Sequence, residues 1–351
     1  MQNSIRTLLI FRLEYIEALI SKGHDVHCIA PIDDILAAQT LEQIGATVSP
    51  IPARSLIRNS LAMNRHHRRL YRASKGQLRT ITHFLTTVVM TFPSLLFSRH
   101  RNLVVIEGLG SFLHSKKFVQ PIFRIILQAV ATQSIFMNRF EKAKIGTDKN
   151  IVLNGIGVPL DDFVQLTPSS RKTGESIKLL YVGRLIADKG VHDVIDVFSS
   201  LHQQGKDYKL HLVGDVYPNN PSSLTNKQIE EITSRFGDAI TFHGFQRNII
   251  DYYRNCDVLL LLSKHEGFPV VVMEANACGI PVVAYDVPGC NEAVSQGVNG
   301  FLVDYGDTHS VAKVLTDIQP EKYKDSCVEY AKLHFDRRKK NERLIHSLAK
   351  L

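Results

Sequence analysis

Apolar residues recur at helical spacing through residues 11–22 (Leu13, Ile16, Leu19, Ile20), and the run stops at Gly23. A period near 3.6 predicts an amphipathic helix, and the glycine just past it supplies the stop. Residues 26–30 are a short apolar run closed by Pro31, which predicts a buried strand. Residues 36–44 repeat the helical spacing up to Gly45, and residues 47–51 read as a second strand. The succession of strand, helix and strand predicts a parallel α/β sheet. Further on, residues 54–80 predict a basic helical stretch, 103–106 a strand, 118–137 a helix and 151–153 a strand.

The pattern then breaks. Pro159 and the polar run from Thr167 to Gly174 predict an interdomain linker over 159–175, with a first domain over 1–158 and a second over 176–351 that ends in helices. After the break the alternation is cleaner: strands over 178–182, 209–213, 240–243, 258–262 and 281–285, with helices over 190–204, 226–236, 249–255 and 270–277. The run 258–262 is apolar without interruption, as the middle of a parallel sheet requires. Two such domains predict a Rossmann-like pair facing across a cleft. Open α/β sheets take ligands beyond the carboxyl ends of their strands, so the arrangement suits a two-substrate enzyme.

Charge separates the halves. The chain of 351 residues carries a net +8, but residues 1–165 hold 20 Lys/Arg against 11 Asp/Glu while residues 166–351 hold 22 against 23. Residues 43–106 contain no carboxylate, yet include Arg54, Arg58, Arg65, Arg68, Arg69, Arg72, Lys75, Arg79, Arg99 and Arg101. A block of one sign points to an anionic partner or to a solvated basic face. Five scattered cysteines (Cys28, Cys256, Cys278, Cys290, Cys327) form no CxxC pair, which disfavours a disulfide framework and a structural zinc site and points to a reducing compartment. The N-terminal apolar run is too brief for a signal peptide, and the most apolar stretch, 81–97, is broken by His83, threonines and Pro93, too short to span a bilayer. A cytoplasmic chain that touches a membrane without crossing it is the expectation. The absence of a P-loop and of a full GxGxxG disfavours ATP hydrolysis and nicotinamide binding.

Candidate chemistry is densest between Ser263 and Ala275, just past the most apolar strand. Gly267 permits a close backbone approach, and Pro269 suits the first turn of a helix. The amides of Val270 and Val271 then face outward from the helix start, a site for phosphate. Glu266 stands in the loop and Glu274 one turn into the helix. The pair either flanks a ligand or serves as helix-start capping. The second constellation is Gly183, Arg184 and Lys189, at the tip of the domain's first strand. A guanidinium and an ammonium there suit a diphosphate, unless Arg184 pairs with Asp188. Asp33-Asp34 and Asp161-Asp162 are adjacent pairs in loops and read as solvated.

Taken together, Tyr181-Val182-Gly183-Arg184, Lys189-Gly190, Glu266-Gly267-Phe268-Pro269, Glu274-Ala275, the run Cys278 to Ala284, Gly289, Glu292 and Asn299 to Val303 resemble the retaining GT-B glycosyltransferases of family four. The likeness covers nearly all of 150–335. In the first half, Phe11-Arg12, Gly23-His24-Asp25-Val26, Glu107 to Phe112 and Asn154 to Val158 look like the branch that builds bacterial surface polysaccharides on polyprenyl-diphosphate carriers. The resemblance implies that Glu274 holds the ribose hydroxyls of a nucleotide sugar, most simply UDP-linked. It implies that Arg184 and Lys189 neutralise the diphosphate, that the backbone of residues 268–271 holds phosphate and sugar, and that Glu266 contacts the donor sugar near its anomeric carbon. Fixed positive charge then replaces a metal, in line with the lack of a DxD motif, so no cofactor is implied.

Two features depart from the family pattern. Relatives place a strand and a glycine-bearing loop before the Phe-Arg pair, whereas ten residues precede Phe11 here, so the first strand of the first domain is expected to be truncated. Many relatives also carry a histidine at the end of the strand that here ends Ile106-Glu107-Gly108, and His114 lies several residues on. The implied partners are a nucleotide sugar, a polyprenyl-linked acceptor and an anionic membrane surface at the cytoplasmic face. Nucleic acid is disfavoured for want of stacking aromatics. A catalytically weak scaffold of the same fold, or a sugar-nucleotide epimerase, stands as the alternative.

Overall fold

The helical spacing ahead of Gly23 folds as the helix Ile5–Ser21, which begins earlier than the pattern predicts because the Ser4 side chain accepts from the Thr7 amide and caps it. The computed structural model describes residues 1–109, 119–164 and 175–351. The chain divides into two units, Met1–Ile156 with Arg338–Leu351, and Gly157–Arg337.

In the first unit, β1 (His27–Cys28) pairs in parallel with β2 (Thr47–Val48), and the helix Ile35–Gln43 packs beside Ile5–Ser21. A separate parallel sheet contains β3 (Thr80–His83), β4 (Asn102–Ile106), β5 (Gln133–Phe136) and β6 (Ile151–Val152), in that spatial order. Two expectations change here, and the interrupted apolar stretch 81–97 resolves into elements. The basic stretch is helical over Leu56–Ala73 and then yields to β3, because Thr80, Thr82 and His83 are buried along a sheet edge. The apolar stretch 81–97 is no single segment: it divides between β3 and the helix Leu85–Leu95. The helix predicted over 118–137 is cut short, since Gln120–Val130 is helical but Gln133–Phe136 forms a strand held between β4 and β6.

The second unit holds β7 (Ile177–Val182), β8 (Tyr208–Val213), β9 (Ile240–Phe242), β10 (Val258–Leu261), β11 (Val282–Tyr285) and β12 (Gly300–Val303). Their order is β12-β11-β10-β7-β8-β9, parallel throughout. β10 is buried at every position, which explains its unbroken apolar sequence.

One difference concerns the C-terminal helices, predicted to stay with the second domain. The last of them, Arg337–Ala349, leaves it, and from Arg338 onward the chain is part of the first unit. The cause is local hydrogen bonding and packing. Lys340 Nζ donates to the carbonyls of Leu153 and Asn154 at 2.7 and 2.8 Å, and Ile345 and Leu348 pack on the core around Ile5–Ser21. Burial pulls the Lys340 ammonium down to about 8, so the two carbonyls are its compensation. Gly110, Ser111, Phe112, His114 and most of the predicted linker lie outside the described residues.

Candidate functional site

The loops leaving β7 and β10 are stitched to one another. The Lys264 amide donates to the Asp188 carbonyl at 3.0 Å. Gly190 ends the first loop with φ +74°, and a Cβ there would stand 2.0 Å from the Leu262 carbonyl oxygen. Only glycine allows that approach. Gly289 does the same on the other side, where a Cβ would meet the Glu266 carbonyl oxygen at 2.5 Å while the Glu266 amide donates to Pro288 at 3.2 Å. Three segments therefore fix the backbone of Glu266 and Gly267.

This backbone brings Glu266 to Lys189. The ammonium donates to both carboxylate oxygens, at 2.8 and 2.9 Å. Arg184 is exposed and does not join this pair; its guanidinium lies 5.2 Å from the centre of the Tyr217 ring. Its carbonyl accepts from the buried Tyr181 hydroxyl at 2.6 Å, which holds the turn after Gly183 in place. The structure thus pairs Lys189 with a carboxylate and gives Arg184 an aromatic face.

The helix Val270–Ala277 starts where the sequence places it, but Pro269 is its N-cap residue and not part of its first turn. Its φ of −71° feeds the chain into the helix. Phe268 is buried and meets Phe335 edge to face at 6.0 Å, anchoring the loop from behind. Val270 and Val271 are the first two helical residues, half-buried, so their amides belong to the outward-facing end of the helix. Glu274 accepts from the hydroxyl of Tyr253 at 2.9 Å. Burial raises its carboxyl to about 7, outweighing the Tyr253 hydrogen bond and the charge of Arg337. At neutral pH this carboxylate is poised between its two forms.

Sequence reasoning missed Tyr253 and Tyr217, since neither lies in a motif and only the fold carries them to Glu274 and Arg184. It also missed the buried amide pair that ties this helix to β12. Asn299 Nδ2 donates to Asn276 Oδ1 at 2.6 Å, and Asn276 Nδ2 donates to the carbonyls of Ile280 and Asn299. Asn299 was visible as part of a run, yet its partner 23 positions earlier was not.

The first unit has a charged cluster of its own at the carboxyl ends of β3 and β4. Arg12 donates to both oxygens of Glu107, while His83 Nδ1 lies 2.8 Å from Glu107 Oε1 and His83 Nε2 lies 2.7 Å from the Tyr15 hydroxyl. Burial and the neighbouring Arg12 hold His83 neutral. For Glu107 burial acts the other way, but Arg12 and His83 outweigh it and hold the carboxylate ionised. Glu141 is buried nearby and its carboxyl is pushed up to about 8 by burial. The strand end at Glu107 thus carries a carboxylate held between Arg12 and a histidine from the adjoining strand.

Both units are built on parallel sheets with Rossmann-like alternation, two sheets in the first and one of six strands in the second, and the second unit carries a cation–carboxylate pair and a helix start at the carboxyl ends of its central strands. These define the GT-B class of glycosyltransferase fold. Residues 164–334 match the family described as glycosyl transferases group 1. The N,N'-diacetylbacillosaminyl-diphospho-undecaprenol alpha-1,3-N-acetylgalactosaminyltransferase of Campylobacter jejuni is 28% identical over 218 residues, 56% of this chain and 55% of that protein. The capsular polysaccharide biosynthesis glycosyltransferase CapM of Staphylococcus aureus is 31% identical over 133 residues, 38% of this chain and 34% of that one. The chain thus spans about half of the first relative's length and a third of the second's. In fold it is similar to Anabaena Alr3699/HepE, solved in complex with UDP, at a TM-score of 0.75 and 19% identity over 97% of this chain and 96% of that one.

Proposed function

We propose that the chain is a retaining glycosyltransferase that moves a sugar from a UDP-linked donor to a polyprenyl-diphosphate-linked saccharide in surface-polysaccharide assembly. The observation that carries this reading is the gathering of Lys189, Glu266, Arg184 and the start of the helix Val270–Ala277 at one end of one sheet. The group 1 family match and a relative named for a diphospho-undecaprenol acceptor support it.

In this reading Arg184, Lys189 and the amides of Val270 and Val271 stabilise the charge that develops on the leaving diphosphate, a role for fixed donors that needs no metal or other cofactor. The carboxylate of Glu274 accepts from both ribose hydroxyls, replacing the bond from Tyr253. Glu266 meets the hydroxyls of the donor sugar while Lys189 turns toward phosphate. Substituting Arg184→Ala or Glu274→Ala should leave the fold intact and slow transfer by about 100-fold, the usual effect of removing one preorganised charge donor or anchor. Wild-type rates in both variants would overturn the assignment.

The same reading places the first unit against an anionic leaflet at the cytoplasmic face. The helix Leu56–Ala73 exposes Leu56, Ile57 and Leu61 near its start, and Arg58, Arg65, Arg69 and Arg72 are exposed along it. Arg68 covers the exposed ring of Phe97 at 4.8 Å. Apolar side chains beside a basic row support interfacial docking. Among the described residues no helix is long and apolar enough to cross a membrane.

A further inference from the structure

The segment that leaves β8, residues 214–225, is built onto the loop that leaves β7. The Leu185 amide donates to the Asp215 carbonyl at 3.1 Å, the Ala187 amide to the Ser222 carbonyl at 3.1 Å, and the Leu224 amide to the Leu185 carbonyl at 2.8 Å. Ile186 and Ser223 face each other in an antiparallel bridge. Gly214 leaves β8 with φ +146°, and a Cβ there would stand 1.8 Å from the Gly183 carbonyl oxygen. The far end is fixed by Thr225, which forms a capping box with Gln228 at the start of the helix Asn226–Phe236. Arg184 and the segment opposite it therefore share one backbone frame.

Tyr217 is pinned within that frame. Its amide donates to the Ser223 hydroxyl at 2.8 Å, and its carbonyl accepts from the Asn220 amide at 2.8 Å. The Ser223 oxygen lies in turn 3.2 Å from the Leu185 carbonyl oxygen. All of this backbone holds a ring that fills no core, since Tyr217 is 46% exposed. The ring instead faces Arg184, whose guanidinium lies 5.2 Å from its centre.

This contact differs in kind from that of the neighbouring cation. Lys189 commits its ammonium to both oxygens of Glu266. Arg184 has Asp188 four positions on and Asp215 on the facing segment, yet among the described residues its guanidinium is paired with neither. A ring face attracts a cation through its quadrupole and is no acceptor of N–H···O bonds, so the fork of guanidinium donors stays open to a further partner. A long exposed side chain without such a support has to be ordered by each ligand that arrives, at a cost in rotamer entropy.

We propose that Tyr217 is a positioning residue for the donor's diphosphate, holding the Arg184 guanidinium in place with its donors unspent. The proposal rests on the reading of Arg184 as a phosphate ligand and adds the group that prepares it. The aromatic face does the holding, and the hydroxyl takes no part. Tyr217 thereby acts through Arg184, and every effect of changing the ring has to pass through that side chain.

The test measures binding of UDP, and of inorganic pyrophosphate as a base-free probe of the same donors, by calorimetry at fixed salt. Tyr217→Leu keeps apolar bulk but removes the π face, and should weaken both ligands by about two- to fivefold, the scale of an exposed cation–π contact. Tyr217→Phe should bind as the wild type does. Arg184→Ala should weaken binding by about tenfold or more, and adding Tyr217→Leu to it should weaken binding no further. Because the ring is exposed, thermal midpoints should stay at the wild-type value in all of the Tyr217 variants. Wild-type affinity in a folded Tyr217→Leu chain would overturn the proposal. So would a Phe variant as weak as the Leu variant, which would move the role to the hydroxyl. An undiminished effect of Tyr217→Leu in the Arg184→Ala background would show that the ring meets the ligand directly, and would also overturn it. Unchanged binding in Arg184→Ala, or no binding of either probe by the wild type, would remove the functional reading and this proposal together. Weak binding in Arg184→Ala beside normal binding in Tyr217→Leu would remove this proposal alone.

Discussion

Lys189 and Glu266 lie 77 positions apart and meet in a two-oxygen ion pair at 2.8 and 2.9 Å, with 27% and 13% of their side chains exposed. Partial burial makes the pair more than a surface contact, while solvent still screens it. Removing one partner strands the other. Lys189→Met and Glu266→Gln should each cost about 1–2 kcal/mol in urea unfolding, and the double variant less than the sum. Strict additivity would show that the two do not couple.

Glu274 sets a pH dependence. Its carboxyl is raised from 4.5 to about 7, so in the window between those values the folded chain holds a proton that the unfolded chain has released. Stability from this group is therefore present at low pH and is lost as pH rises toward 7. Glu274→Gln should flatten that part of the stability profile in the ligand-free chain. Binding of UDP, which in the proposed reading needs the ionised form, should strengthen as pH rises through 7 in the wild type and lose that dependence in the variant. Calorimetry at several pH values reads both.

Gly190→Ala tests the joint beneath the site. The residue has φ +74°, and the added carbon would press on the Leu262 carbonyl, which a strand end cannot move aside. A loss of about 3–5 kcal/mol is expected, seen as a lowered unfolding midpoint or as insoluble chain. Gly205→Ala, with a similar φ of +71° but nothing within 4 Å, should cost only about 1–2 kcal/mol.

Arg12 holds Glu107 inside the first unit. Arg12→Met leaves a buried carboxylate whose remaining partner, His83, is neutral, and a loss of about 3–5 kcal/mol is expected at pH 7. Combining it with Glu107→Gln should recover most of the loss. Failure to recover it would mean that packing by the long Arg12 side chain, and not its charge, is what matters there.

The basic helix makes a further prediction. Replacing Arg65, Arg69 and Arg72 with Glu should reduce binding to anionic vesicles at low salt by about 1 kcal/mol or more per residue while sparing UDP binding. Equal sedimentation with anionic and neutral vesicles in the wild type would remove the membrane from the reading.

How much was legible beforehand varies along the chain. The second unit was readable because its strands are buried on both faces and its helices end at glycines, so apolar runs and stops coincide with elements. The motif around Glu266 to Glu274 was readable for the same reason: loop and helix start are contiguous in sequence. In the first unit β3 and β5 hid inside longer apolar or helical patterns, because their burial comes from neighbouring strands that local periodicity does not register.

By itself, the sequence determined the two α/β halves, the basic character of the first, and the residues of the loops that carry the candidate chemistry. Only tertiary structure decided which of those residues meet. It paired Lys189 with Glu266, set Tyr217 under Arg184 and Tyr253 on Glu274, and returned the last helix to the first unit. The physical reason is that helix and strand patterns arise from neighbours along the chain. Ion pairs, ring contacts and sheet edges are instead fixed by segments that packing brings together from far apart.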